Sequence, residues 1–340
     1  MTRSTPRAAT FVAPRAVELR ELPQVALAPG MVRVATELSA ISGGSELLFY
    51  RGQLEPDIAV DATLPWAGTL SYPLAYGYAC AGHIRELGDE LSADWLGARV
   101  FAFAPHQEEV CARADSLVRL PDSLPLSRAV FLPNMETAVS LAMDGAPLFG
   151  ESVAVLGQGV VGQLLAALLA RSGAERVVLI DRLPDRLERS RALCGSETDR
   201  CEWVDSVGPA LHDRFDLVYE LTGNPAALDD ALSLARYEGR IVIGSWYGTK
   251  QSPLALGTRA HRNRNQLLFS QVSRIDSRHA ARFDKARRLD VALRWLARVP
   301  LEALISHRVP FEQIAHAYRL LDQQTEPSLQ VLITYVPASG

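Results

Sequence analysis

Val153-Ala154-Val155-Leu156-Gly157-Gln158-Gly159-Val160-Val161-Gly162 is the stretch on which the reading of this chain turns. Four apolar residues in a row suit a strand buried on both faces, as in a parallel sheet. The glycines that follow keep the G-x-G-x-x-G spacing. The first permits a tight turn, the second lets backbone approach a pyrophosphate, and the third lets the next helix pack close to the strand. Residues 163–171 read as that helix, so its first amides and its dipole face the same phosphates. Glycine spacing alone says little; the strand before it and the helix after it make it specific. Gly157, Gln158, Gly159, Val160, Val161 and Gly162 are therefore candidate cofactor residues.

Further along, Val177-Val178-Leu179-Ile180 is a second apolar run, and it ends on Asp181. An acidic side chain at that distance from the glycines meets ribose hydroxyls and repels a 2′-phosphate, which favours NAD over NADP. Arg182 and Arg186 follow, either as solvated helix-start charges or as a means of accepting NADP. Thr222-Gly223-Asn224-Pro225 and Ser245-Trp246-Tyr247-Gly248 follow two more strands, and ligands of open α/β sheets bind at such carboxyl ends. Thr222, Gly223, Ser245, Trp246 and Tyr247 join the cofactor candidates; Trp246 and Tyr247 either wall the nicotinamide or simply pack. Strands at 152–156, 177–180 and 217–219 alternate with helices at 160–172, 184–194 and 225–236. That alternation predicts an α/β domain with a doubly wound parallel sheet.

Residues 10 to 130 read differently. Val17-Glu18-Leu19-Arg20-Glu21-Leu22 and Val32-Arg33-Val34-Ala35-Thr36-Glu37-Leu38 alternate apolar and polar with period two, which predicts a β-rich, barrel-like domain. A helix at 285–297 and a strand at 329–333 close the chain. Two domains suit 340 residues, since one core rarely serves so long a chain. A net charge of −4 gives no field to hold nucleic acid or an anionic membrane. The apolar run at 164–170 is far too short for a bilayer, which needs roughly 20 residues. Cys80, Cys111, Cys194 and Cys201 are scattered, without CxxC pairs, and the N-terminus lacks an apolar signal region. Both point to a cytoplasmic protein with reduced thiols.

A β-rich first part, a nucleotide-binding middle and a return to the first domain resembles the medium-chain dehydrogenase/reductase superfamily over nearly the whole chain. Pro73-Leu74-Ala75-Tyr76-Gly77-Tyr78-Ala79-Cys80-Ala81-Gly82 is similar to its GHE-type segment, and Gly97-Ala98-Arg99-Val100 to its GDRV turn. Ser39-Ala40-Ile41-Ser42-Gly43-Gly44-Ser45-Glu46, Phe103-Ala104-Pro105-His106, Gly244-Ser245-Trp246-Tyr247-Gly248, Ser270-Gln271-Val272 and the stretch at 304–311 resemble the branch that contains bacteriochlorophyllide a dehydrogenase, which oxidises a 3-hydroxyethyl group. The resemblance implies a GroES-like β-barrel catalytic domain at 1–128 and 286–340, a Rossmann domain at 129–285, and a homodimer.

It also exposes departures. A catalytic zinc takes three Cys, His or carboxylate ligands and keeps one open position. Here the segment of the first Cys reads Ile41-Ser42-Gly43, the GHE reads Gly77-Tyr78-Ala79, and Cys111 stands alone near the structural-zinc lobe. The resemblance therefore implies a zinc-free enzyme in which side chains handle the proton. Tyr78 stands where the ligand His would be, as a hydrogen-bond donor or as a wall residue. Ser45 and Glu46 lie in the loop that frames the substrate in relatives; Glu46 is either a general base or a helix cap. His106 is either a proton relay or a surface-loop imidazole. Glu136, near a third ligand position, either contacts the nicotinamide end or begins a helix. Arg259, His261, Arg262 and Arg264 either hold a substrate carboxylate or are a solvated loop. The expected activity is hydride transfer between NAD and a secondary alcohol or ketone on a small molecule, with the carbinol on a tetrapyrrole- or pterin-like ring. The alternatives are an NADPH-dependent quinone or enoyl reductase, and a non-catalytic nucleotide-binding protein.

Overall fold

The first-quoted strand, β1 (Ser152–Leu156), lies inside a six-stranded parallel sheet in the computed structural model, which describes residues 5–56, 69–196 and 199–335. The sheet's other strands are β2 (Arg176–Ile180), β3 (Cys201–Val204), β4 (Phe215–Glu220), β5 (Ala235–Ile243) and β6 (Gln266–Phe269). Their spatial order is 3-2-1-4-5-6, so the direction of winding reverses between β1 and β4. In open α/β sheets such a switch point, at the carboxyl ends of the strands, is where ligands bind. Register puts Val153 between Val177 and Leu217, and Val155 between Leu179 and Tyr219; all six are fully buried. This is why β1 carries no polar side chain after Ser152.

Helix α1 (Val160–Ala170) follows β1, and every residue from Gly162 to Ala170 is buried. A helix apolar on all sides belongs inside the unit. α2 (Pro184–Cys194) starts on a proline whose missing amide costs nothing at that position. α3 (Ala227–Leu234) connects β4 to β5, and α4 (Lys285–Arg298) begins with Asp284, whose side chain accepts the Arg287 amide at 2.7 Å. α4 is tied to the helix Leu132–Asp144 by a buried ion pair: Arg288 donates to Glu136 at 2.9 and 3.1 Å and to the Ser140 hydroxyl at 3.2 Å. Burial pushes the Glu136 carboxyl up, against the pull of Arg288. That pairing assigns α4 to the nucleotide unit. The chain divides into Asn134–Leu304 on one side and Met1–Pro133 with Ile305–Gly340 on the other, where the sequence suggested breaks at 128 and 286.

In the other unit, the long strand Met31–Ala40 pairs antiparallel with Cys80–Leu87, Glu109–Arg113 and the C-terminal Gln330–Thr334. Ile305–Pro310, Arg99–Ala102 and Val118–Arg119 extend the sheet to seven strands. A second sheet joins Ala16–Glu21, Arg7–Ala13 and Leu74–Ala75. The period-two pattern does what it should: Val32 and Val34 are buried, while Arg33 turns out and pairs with its cross-strand partner Glu86 at 2.8 Å. Among the described residues, no helix is long and apolar enough to cross a membrane.

Candidate functional site

The turn after β1 has the backbone its glycines allow. Gly157 has φ +94°, and a Cβ there would lie 2.6 Å from the Leu221 carbonyl oxygen. A Cβ on Gly162 would lie 2.0 Å from the Gly157 oxygen, so strand and helix touch. Gly159 is different. Its φ is −70°, it caps α1, and nothing lies within 4 Å of where its Cβ would be. The Cβ position of Gly159, at the start of α1, therefore faces open space, with Val160 and Val161 half-buried beside it.

The end of β2 is stitched to this turn. The Gly157 amide donates to the Ile180 carbonyl at 2.8 Å, and the Gln158 amide to Asp181 Oδ2 at 2.7 Å. Asp181 Oδ1 accepts the Leu183 amide at 3.0 Å, and Arg186 approaches Oδ2 at 3.8 Å. Arg186 is thus a neighbour of Asp181, while Arg182 is exposed. The Gln158 side chain turns inward and is fully buried. It donates to the Val155 carbonyl at 3.3 Å and accepts from Ser190 at 3.0 Å, so only its backbone faces the turn.

At the ends of β4 and β5 the structure reveals a residue that sequence reasoning missed. Glu220, the last residue of β4, has no solvent exposure. Its Oε1 accepts the Thr222 amide at 2.8 Å and the Thr222 hydroxyl, and its Oε2 accepts the Tyr247 hydroxyl at 2.5 Å. Burial and donation to Glu220 together push the Tyr247 phenol well above its ordinary value. Gly223 donates its amide to the Ser245 hydroxyl at 2.8 Å, and Trp246 is 41 % exposed. The only available signal was a carboxylate ending the otherwise apolar run Leu217-Val218-Tyr219.

In the other unit, the acid–base candidates Glu46 and His106 meet. Both are fully buried, with His106 Nε2 2.9 Å from Glu46 Oε2. Tyr318 donates to the same oxygen at 2.5 Å, and Glu46 Oε1 accepts the Ser42 amide at 2.8 Å. His106 Nδ1 lies 2.7 Å from the Ser39 hydroxyl, which in turn lies 2.9 Å from Tyr335. The surface-loop expectation for His106 is thereby corrected. Its carbonyl accepts the Ala9 amide, which pins the loop to the sheet, and Gly77 makes room for the ring: a Cβ at Gly77 would lie 2.6 Å from His106 Cδ2. Burial drives the phenols of Tyr318 and Tyr335 well above their ordinary range.

Glu46 opens the short helix Glu46–Arg51 and accepts the amide of Ser42, four residues earlier, whereas Ser45, at the cap, makes no side-chain cap bond. Tyr78 is half-buried and edge-on to Tyr76, ring centroids 6.0 Å apart. Glu136 lies in the Arg288 ion pair, which is a structural role. Of the basic run, Arg259 pairs with Asp213 and Arg264 with Glu238, while His261 and Arg262 are exposed. Among the described residues no group of three or more His, Cys, Asp or Glu is disposed to hold a metal. Cys80, beside the Ser39 strand, donates to the Ala104 and Pro105 carbonyls, and burial pushes its thiol up to about 12.

Comparison with known proteins agrees with this architecture. Residues 160–286 match the family model described as zinc-binding dehydrogenase. The chain is 24% identical to D-guloside 3-dehydrogenase of Escherichia coli K12, over 95% of this chain and 98% of that protein. Its fold matches 2R,3R-butanediol dehydrogenase from Bacillus subtilis with a TM-score of 0.75 at 17% identity, covering 97% of this chain and 99% of the other. It also matches a short chain alcohol dehydrogenase from E. coli CFT073, solved with NADH, with a TM-score of 0.74 at 19% identity over 97% and 100% of the two chains. Taken with the 3-2-1-4-5-6 sheet and its glycine turn, these likenesses show a chain that shares the fold of the medium-chain, zinc-binding dehydrogenases and is similar to them in sequence.

Proposed function

We infer that the protein binds NAD(H) across the carboxyl edge of the β1–β6 sheet and interconverts a secondary alcohol and its ketone. The observation that carries this reading is the open backbone at Gly159, in front of the α1 amides and next to Asp181. Such amides hold a pyrophosphate, and Asp181 offers oxygen acceptors to ribose hydroxyls and disfavours a 2′-phosphate. Loops 222–225 and 245–248 hold the nicotinamide half. When bound, the cofactor supplies hydride acceptance and donation.

This chain's own residues must bind the alcohol, orient its carbon and move its proton. We assign proton transfer at the substrate oxygen to the Tyr78 phenol, with Ser45 as a hydrogen-bonding neighbour in the loop that Glu46 holds. Glu46 and His106 are engaged with each other and with Tyr318, Ser39 and the Ser42 amide, so they fix the backbone on which Ser45 and Gly77 stand. The donor chemistry favours action without zinc. Zinc wants thiolate, imidazole or carboxylate. The nearest thiol, Cys80, is held protonated, and the carboxylate and imidazole are bonded to one another.

The named relatives act on a guloside and a butanediol, which supports a polar secondary alcohol. The narrower reading places the carbinol on a tetrapyrrole- or pterin-like ring, on the strength of the sequence resemblance. A panel of glycosides, polyols and hydroxyethyl-substituted rings, assayed with NAD and with NADP at the reduced-nicotinamide absorbance, separates these. Turnover that persists after chelation, with NAD preferred, is the expected result. Turnover lost on chelation and restored by zinc overturns the metal-free part, and no turnover on any carbinol overturns the enzymatic reading.

We also read β6 as the place where a second copy pairs. It is an edge strand, and Leu267 and Phe269 on it are 39 % and 70 % exposed. Sedimentation velocity is expected to give the mass of two chains, and of one chain for Phe269→Glu; one chain in both removes this part.

A further inference from the structure

A fully buried carboxylate is a costly thing to place at the end of a sheet strand. Desolvating it is strongly unfavourable unless strong donors surround it. Glu220 has those donors, and they come from two different loops. The Thr222 amide and hydroxyl belong to the loop after β4, and the Tyr247 hydroxyl belongs to the loop after β5. Charge-assisted hydroxyl bonds to a carboxylate are short and about twice as strong as neutral ones. The 2.5 Å contact from Tyr247 fits that description.

Three further contacts join the end of β4 and its loop to the segment after β5. Ser245 accepts the Gly223 amide at 2.8 Å and leans on the Glu220 carbonyl at 3.4 Å, and Lys250 Nζ donates to the Gly223 carbonyl at 2.5 Å. Leu221, between Glu220 and Thr222, donates its amide to Leu156 at 2.8 Å and abuts Gly157, where its carbonyl oxygen would lie 2.6 Å from a Cβ. One carboxylate therefore stands where the glycine turn and both later loops meet. A leucine at 220 would pack more cheaply, but it would remove the acceptor that Thr222 and Tyr247 share and so the tie between their two loops.

We propose that Glu220 is a positioning residue: it locks loops 222–225 and 245–248 into one surface before any dinucleotide arrives. The proposal rests on the dinucleotide reading for what that surface is for, whereas the lock exists in the protein alone. Pre-organised loops bind without an ordering cost, so weakening the lock at Glu220 lowers affinity without removing a group from the loops that hold the ligand. Glu220 itself is buried beneath the loops and acts through Thr222 and Tyr247.

The test uses the full chain as wild type, Glu220→Gln, Tyr247→Phe, Thr222→Val and Thr222→Ser. Amide hydrogen exchange is measured without nucleotide, and NADH affinity by titration. Exchange reports local opening, segment by segment. In Glu220→Gln and Tyr247→Phe, amides of 222–225 and 245–248 are expected to exchange about tenfold faster while β1 and β2 keep wild-type protection. NADH binding is expected to weaken about tenfold in both variants. Thr222→Val should behave like them, and Thr222→Ser, which keeps the hydroxyl, like wild type. Should Glu220→Gln fail to fold, Tyr247→Phe and the Thr222 pair decide. Wild-type exchange rates in both loops overturn the proposal, as does faster exchange spread equally through β1 and β2, or wild-type NADH affinity in variants whose loops have loosened. A wild type that binds neither NADH nor NADPH, yet shows the lock by exchange, overturns the dinucleotide reading and leaves the lock standing.

Discussion

Replacing Tyr78 with Phe removes one oxygen and leaves the ring that meets Tyr76 edge-on. If that phenol moves the substrate proton, Tyr78→Phe should lower kcat by about a hundredfold, the lower end of what positioned acid–base groups contribute. KM for the cofactor should hold steady, and steady-state kinetics with NAD varied at saturating alcohol check both. Unchanged kcat would transfer the role to another residue. What the sequence revealed at this scale is set by how local the cause is. The turn at Gly157 and the strand end at Asp181 were legible as geometry because they follow from neighbouring backbone: a φ of +94° and an amide bond across to Asp181. His106 was not, because its burial depends on Glu46, 60 positions away, and on a glycine at 77. Glu220 was hidden for the same reason, since its second partner, Tyr247, lies 27 positions further along the chain. Gln158 stands in the motif but turns its side chain into the core, which spacing alone does not reveal.

Helix α4 shows how one pair can decide where an element belongs. Its Arg288 is 1 % exposed and serves Glu136, Ser140 and the carbonyls of Val272 and Arg274. Arg288→Met keeps much of the volume but strands a buried carboxylate. Such a change typically costs about 3–5 kcal/mol. Urea denaturation should show that loss, and Glu136→Gln added to Arg288→Met should recover part of it. A loss below about 1 kcal/mol, within the range of an exposed pair, would mean that the pair does not hold the helix. The apolar runs made β1, β2, β4 and β5 readable, and Pro184 marked the start of α2. The outer strands β3 and β6 were not, because half-exposed edges such as Cys201-Glu202-Trp203-Val204 lack the continuous apolar signature of a buried strand.

Across the whole molecule, both units keep phenols buried. Tyr219 in the nucleotide unit, and Tyr318 and Tyr335 in the other, all have ionisation pushed upward by burial. The unfolded chain releases these protons near pH 10, whereas the folded chain keeps them. Their contribution to stability is therefore complete below that pH and is lost as pH rises above it, at about 1.4 kcal/mol per pH unit for each phenol. Urea denaturation from pH 8 to 11 should be flat at first and then fall steeply. Stability that stays level through pH 11 would contradict the burial of these hydroxyls. The change of pattern near residue 130 falls close to the structural division at Asn134, whereas the division at Leu304 leaves no mark in the sequence pattern, because it depends on what α4 packs against.

NADH titration of the wild type and Gly159→Val, with melting temperature recorded alongside, tests the claim on which the functional account stands. Gly159 has an ordinary φ, and among the described residues no atom beyond its immediate chain neighbours lies within 4 Å of its Cβ position, so valine should leave the melting temperature unchanged. The branched side chain would occupy the space assigned to the pyrophosphate, and NADH affinity should fall at least about a hundredfold. Equal NADH affinity in the two proteins would contradict the placement of the dinucleotide on this turn.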